Sequence, residues 1–151
     1  MTGLLLVFAD GGSRGNPGAA AYGALVLDAL NGEVLVERAG YLGIATNNVA
    51  EYHGLIAGLE SVISLNPEAR VEVRMDSKLV VEQMSGRWKI KHPDMRDLAL
   101  RASKLMPATR VKYSWVPRAD NFRADALVNE ALDAAIGGIL DPIHRRYGAL
   151  G

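Results

Sequence analysis

The stretch LLLVFADGGSRGNPG, Leu4 to Gly18, constrains the fold more than any other. Leu4 to Ala9 is continuously apolar rather than alternating, so it reads as a strand buried on both faces. Such a strand belongs in the middle of a sheet with helices on both sides. The run stops at Asp10 and passes into a loop rich in glycine, which reads as a hairpin connection. That loop leads into another strand, and no Gly-Lys-Ser/Thr follows it, so it is not a P-loop nucleotide cradle.

Ala20 to Leu27 and Val34 to Leu42 read as two further strands, with the Asn31-Gly32 hairpin signal between them. Together the three predict an antiparallel meander. The period then changes: Val49, Tyr52, Ile56, Leu59 and Ile63 recur at three- and four-residue spacing, an amphipathic helix ending before Asn66-Pro67. Thr46, Asn47 and Asn48 are its candidate N-caps. Val71 to Met75 alternates as a short strand, Ser77 to Met84 and Asp94 to Met106 read as helices, Arg110 to Val116 as a fifth strand, and Asn121 to Ile136 as a last helix. The order is that of a mixed α/β sheet in which helical crossovers make the later strands parallel to the first.

Two strands thus end on an acid, Asp10 and Asp76. As parallel neighbours they would project from the carboxyl edge of the sheet, where open α/β sheets bind ligands. Glu51 lies early in the first long helix and Asp125 early in the last. Each acid has an ordinary structural reading alone: Asp10 opening an Asx turn, Glu51 completing a capping box with Asn48, Asp76 capping the next helix, Asp125 favouring a helix N-terminus. As a set they are a cluster of like charges that wants a cation between them. With oxygen ligands only, no cysteine and no His-Glu-x-x-His pair, Mg²⁺ or Mn²⁺ fits better than zinc. Two such ions suit in-line phosphodiester displacement.

The segments DGGSRGNPG (Asp10 to Gly18), TNNVAEY (Thr46 to Tyr52), MDSK (Met75 to Lys78) and WVPRADNFRAD (Trp115 to Asp125) resemble those of type 1 ribonuclease H, in that family's order and spacing. The resemblance covers the chain from about Leu4 to Ile136. It implies the ribonuclease H-like α/β fold, a five-stranded mixed sheet of order 3-2-1-4-5 with helices on both faces. It implies that Asp10, Glu51, Asp76 and Asp125 ligate two Mg²⁺ ions, with Mn²⁺ as substitute. The reaction implied is endonucleolytic hydrolysis of the RNA strand of an RNA–DNA hybrid, leaving 3′-hydroxyl and 5′-phosphate ends. By position, Gly11, Gly12 and Ser13 would meet the minor groove through their backbone, and Ser77 a ribose. Asn16, Asn47 and Asn48 would touch sugars and bases, and Thr46 a DNA phosphate.

Two departures from the family pattern stand out. Many bacterial members carry a loop histidine before the last aspartate, where this chain reads Val116-Pro117-Arg118-Ala119-Asp120. His53, His92 and His144 lie elsewhere. Arg118 is the candidate replacement; a guanidinium cannot act as a general base but can stabilise phosphate charge. The chain is also too short after Met84 for the extra helix and basic loop that some members use to grip DNA. Trp88 beside a DNA sugar, with Lys89 and Lys91 on phosphates, is the substitute grip expected here; the alternative is a core-capping tryptophan with solvated lysines.

Composition sets the remaining bounds. The 151 residues suit one domain, read as residues 1–137, followed by a tail at 138–151 with turn chemistry, or a linker to a further domain. No apolar run approaches a membrane span, no basic leader precedes the first strand, and the lack of cysteine suits a reducing cytoplasm. A monomer is the expected state. The zero net charge conceals an asymmetry: Asp28 to Glu68 holds six acids and one base, whereas Arg87 to Arg123 holds ten bases and three acids. A basic half suits a polyanion. Beside the hybrid nuclease stand a nuclease of the same fold for double-stranded RNA or a DNA junction, and a non-catalytic hybrid-binding module. The module is disfavoured, because a binder of phosphates gains nothing from clustered acids.

Overall fold

Burial of the Leu4 run on both faces organises everything else. The computed structural model describes residues 3–148. Its strands are β1 (Leu4–Arg14), β2 (Gly18–Asp28), β3 (Val34–Ala45), β4 (Arg70–Met75), β5 (Val111–Trp115) and β6 (Ile143–Arg146). Its helices are α1 (Asn47–Leu65), α2 (Lys78–Met84), α3 (Pro93–Leu105) and α4 (Phe122–Ile136). Among the described residues the sheet runs β5-β4-β1-β2-β3-β6, with β1 parallel to β4 and antiparallel to β2.

The expected order 3-2-1-4-5 is therefore present, with one strand more. β6 pairs antiparallel with β3, Val36 opposite Arg146 and Ala39 opposite Ile143. It falls in the stretch that reads as a tail, because four residues with a single apolar one give no periodic signal. Long-range ion pairs fix it instead: Arg145 donates to Glu130 on α4 through both terminal nitrogens at 2.8 Å and to Glu37 on β3 at 3.0 Å. Residues 149–151, the end of that stretch, and residues 1 and 2 lie outside the described residues.

Alternate residues of β1 feed two separate cores. Leu5, Val7 and Ala9 pack with Tyr52, Leu55 and Leu59 of α1, Val80 of α2 and Ala99 and Ala102 of α3. Phe8 faces the other way, with Leu25 and with Ala124, Leu127, Val128 and Ala131 of α4. Tyr52 is fully buried, and its hydroxyl donates to Gln83 Oε1 on α2 at 2.7 Å, so the burial leaves no polar atom stranded.

β1 is longer than its apolar run. It continues through Gly11, Gly12, Ser13 and Arg14, which pair with β2 as far as Arg14 opposite Ala19. The pairing with β4 ends earlier, at Phe8 opposite Arg74. Asp10 is thus not the end of a strand but the point where β1 outruns its parallel neighbour. The glycine segment expected as a loop is mostly strand, and the turn is confined to Gly15–Pro17.

Candidate active site

Four elements deliver one acid each to a single cleft. Asp10 comes from β1, Glu51 from the second turn of α1, Asp76 from the residue after β4, and Asp125 from the first turn of α4. All four line a cavity of about 380 Å³ together with Gly11, Gly12, Ser13, Arg14, Asn47, Arg118 and Asn129.

Two glycines bring these elements close. A Cβ on Gly11 would lie 2.1 Å from the Ala50 carbonyl carbon and 2.2 Å from the Glu51 nitrogen, so β1 rests directly on the start of α1. On the opposite face, a Cβ on Gly23, the residue paired with Asp10, would lie 2.7 Å from the Ala124 oxygen and 2.8 Å from Leu127 Cβ. The sheet is pinched between two helices at the level of Asp10, which sets Glu51 on one side and Asp125 on the other.

The electrostatics follow from that crowding. Burial, then the Asp76 charge, with Glu51 and Asp125 adding, pushes the Asp10 carboxyl up from 3.8 to about 8. Burial is also the main reason that Glu51 rises to about 7; the Ser77 hydroxyl bond opposes it and Asp76 adds to it. Asp76 Oδ1 accepts from Asn121 Nδ2 at 2.7 Å, and the same NH₂ donates to the Ala9 carbonyl at 2.9 Å. Trp115 Nε1 donates to the Asp76 carbonyl at 3.2 Å. Asn129 Nδ2 donates to Asp125 Oδ2 at 3.4 Å, and Asn129 Oδ1 accepts from Arg14, which is paired with Asp133 at 2.7 Å.

Among the described residues no three His, Cys, Asp or Glu side chains are gathered tightly enough to enclose a cation by themselves. Asp76 and Asp125 are instead turned toward amides. The donor chemistry nevertheless suits a hard divalent cation. Every ligand atom is oxygen, Asp10 keeps its proton because it is buried beside other acids, and Glu51 Oε2 is buried with no hydrogen-bond partner.

The other expected site residues divide. Thr46 is the N-cap of α1, its hydroxyl accepting from Val49 N at 3.2 Å. Asn47 Oδ1 accepts from Ser13 N at 2.8 Å, and Asn16 Oδ1 from Asn47 N at 3.1 Å, so both asparagines tie the β1–β2 turn to α1. What remains to each for a ligand is its NH₂ group. Asn48, half-buried in the first turn of α1, is not among the residues lining the cavity. Ser77 caps α2 through Val80 N, a role that Asp76 does not take. Arg118 is exposed, in the 3-10 turn Arg118–Asn121.

Trp88, Lys89 and Lys91 lie outside the cleft, in the segment between α2 and α3; all three are exposed, and Gln83 holds the Lys89 carbonyl at 3.3 Å. Trp88 is 46% exposed, so it does not cap the core. None of the histidines lines the cavity. His92 caps α3, and burial lowers His53 on α1.

Sequence reasoning misses Asn121, Arg14 and Asn129. From sequence Asn121 reads only as the first residue of the last helix. Its side chain makes no capping bond and reaches Ala9 and Asp76 instead, at 1% exposure.

This strand order, with acids converging from β1, α1, β4 and α4, defines the class of ribonuclease H-like domains. Residues 8–131 match the Reverse transcriptase-like family. The bifunctional protein Rv2228c of Mycobacterium tuberculosis is 56% identical over 132 residues, 87% of this chain, and this chain spans only 36% of that protein's length. Its N-terminal RNase H domain, solved as a maltose-binding-protein fusion, superposes with a TM-score of 0.82 at 54% identity, covering 89% of this chain and 97% of that one. A ribonuclease H of Syntrophotalea carbinolica is 34% identical over 144 residues, 85% of this chain and 91% of that protein. LC11-RNase H1, solved in complex with an RNA/DNA hybrid, superposes with a TM-score of 0.81 at 39% identity, covering 87% of this chain and 99% of that one. The chain belongs to the type 1 ribonuclease H family.

Proposed function

We propose that the chain is an endonuclease that hydrolyses the RNA strand of RNA–DNA hybrids, with Asp10, Glu51, Asp76 and Asp125 as ligands to two divalent cations, Mg²⁺ or Mn²⁺. The observation that carries this reading is the convergence of four acids on one cleft, where burial and mutual repulsion raise Asp10 to about 8. A pair of cations there would supply activation of the attacking water and stabilisation of the leaving oxygen. The products are then 3′-hydroxyl and 5′-phosphate ends.

The chain's own residues do the remainder. Asn121 holds the Asp76 carboxylate at the edge of the sheet, and Ser77 braces Glu51. Arg118 faces the phosphate as a permanent cation and cannot remove a proton. The free NH₂ groups of Asn16 and Asn47 donate to sugar or base oxygens, and the 2′-hydroxyl is what separates RNA from DNA there. Gly11, Gly12 and Ser13 supply the close backbone surface, while Asn48 and Thr46 extend it. Trp88, Lys89 and Lys91 serve the DNA strand as a separate exposed patch. In a longer protein, as in the mycobacterial relative, a further domain follows this one.

A panel of labelled duplexes tests the substrate. Hybrid RNA should be cut in Mg²⁺ and spared in EDTA, with double-stranded RNA and DNA left intact. Preferential cutting of double-stranded RNA would support the same-fold alternative instead.

A further inference from the structure

α4 covers only part of its face of the sheet. It packs on β1, β2 and β3, while on the same face β4 and β5 present Glu72, Arg74, Lys112 and Ser114. Val71, Val73 and Met75 point the other way, into the core under α1. A ladder of cations and rings joins this uncovered strip to the start of α4. The Arg74 guanidinium stands 5.7 Å from the centre of the Phe8 ring, and that of Arg123 stands 5.8 Å from Phe8 and 5.8 Å from Phe122. Phe122 stays 63% exposed even with Arg123 beside its ring, an unusual position for a phenylalanine.

The strip is continuous with the cleft. Phe8 precedes Asp10 by two residues on β1 and so shares its face one pleat away, about 7 Å, and Arg74 lies near the end of β4, two residues before Asp76. Three cations (Arg74, Lys112 and Arg123) face one acid, Glu72, which Arg74 already engages at 3.1 Å. Among the described residues Arg123 and Lys112 form no ion pair. An exposed ring beside a cation held between rings suits a planar group on an anionic chain. Paired bases hide their faces within the duplex, so the match is to unpaired nucleotides.

We propose that this strip binds an unpaired RNA segment continuing from the strand held in the cleft, with a base stacked on Phe122 and phosphates on Arg123 and Lys112. The assignment to RNA rests on the hybrid-nuclease reading, since the strand presented to Asp10 and Asp76 is then the RNA.

The test compares three labelled hybrids, blunt, RNA-extended and DNA-extended, by the enzyme concentration that half-saturates single-turnover cleavage. The RNA extension should tighten binding about five- to tenfold over the blunt hybrid. Phe122→Ala and Arg123→Gln should each bring that ratio near one, at an unchanged melting temperature. Equal affinity for blunt and extended hybrids, a ratio that survives both substitutions, or an equal gain from a DNA extension would overturn the proposal. Absence of any cleavage of the blunt hybrid would remove the hybrid-nuclease reading itself, and this assignment with it.

Discussion

Asp10 is held where its charge is least welcome. Its carboxyl titrates near 8 rather than 3.8, so without metal the folded chain keeps a proton that the unfolded chain has lost. Between those values the native state binds more protons than the unfolded state, and stability therefore falls as pH rises. Melting in EDTA should show wild-type Tm declining from pH 5 to 8.5 more steeply than that of Asp10→Asn, with the variant the more stable at pH 8.5 (about the upper pKa). Parallel slopes would contradict this. Asn121 is the second test at this scale. Asn121→Ala leaves the Ala9 carbonyl and Asp76 without their donor and should cost about 1–3 kcal/mol, measured by urea unfolding. The four acids are legible in the sequence because each sits in a short motif at the start or end of an apolar pattern. Asn121 is not, because an asparagine at the start of an apolar helical pattern carries no sign of the distant Ala9 and Asp76 it bonds.

Elements carry the site by close approach. The Gly23 pinch predicts that Gly23→Ala, which forces a Cβ to within 2.7 Å of the Ala124 oxygen, pushes α4 and Asp125 outward. Overpacking of this kind should lower stability by about 1–3 kcal/mol and reduce cleavage. Gly12→Ala meets only Val128 Cγ1 at 3.4 Å, so its denaturation midpoint should stay near wild type. Equal effects of the two substitutions would remove the pinch as the positioning device. The element types and their order are legible from period alone, since apolar runs, alternation and three-four spacing each mark their own structure. The length of β1 and the existence of β6 are not. Gly11 to Arg14 carry no apolar pattern and become strand only because β2 lies opposite. β6 is held by Arg145 reaching Glu130, 15 residues away, and Glu37, 108 residues away, a contact that no local window contains.

The whole molecule separates its tasks by face and by charge. α1, α2 and α3 share one core and α4 the other, and the carboxylate cleft opens where β1 outruns β4 between them. The ten bases from Arg87 to Arg123 stand on α3, β5, their connections and the first turn of α4 rather than in the cleft, apart from Arg118. If they grip the hybrid backbone, affinity should fall at least about tenfold between 50 and 200 mM salt, measured by anisotropy. A flat salt response would take that grip away and leave recognition to the cleft alone. The most direct measurement is single-turnover cleavage of a labelled RNA–DNA hybrid in Mg²⁺ by wild type and by Asp76→Asn, with equal melting temperatures as the folding control. The expected result is a loss of at least about a hundredfold in the variant, as for removal of a group that stabilises transition-state charge. Full activity in Asp76→Asn would contradict the assignment of the four-carboxylate cleft as the catalytic centre.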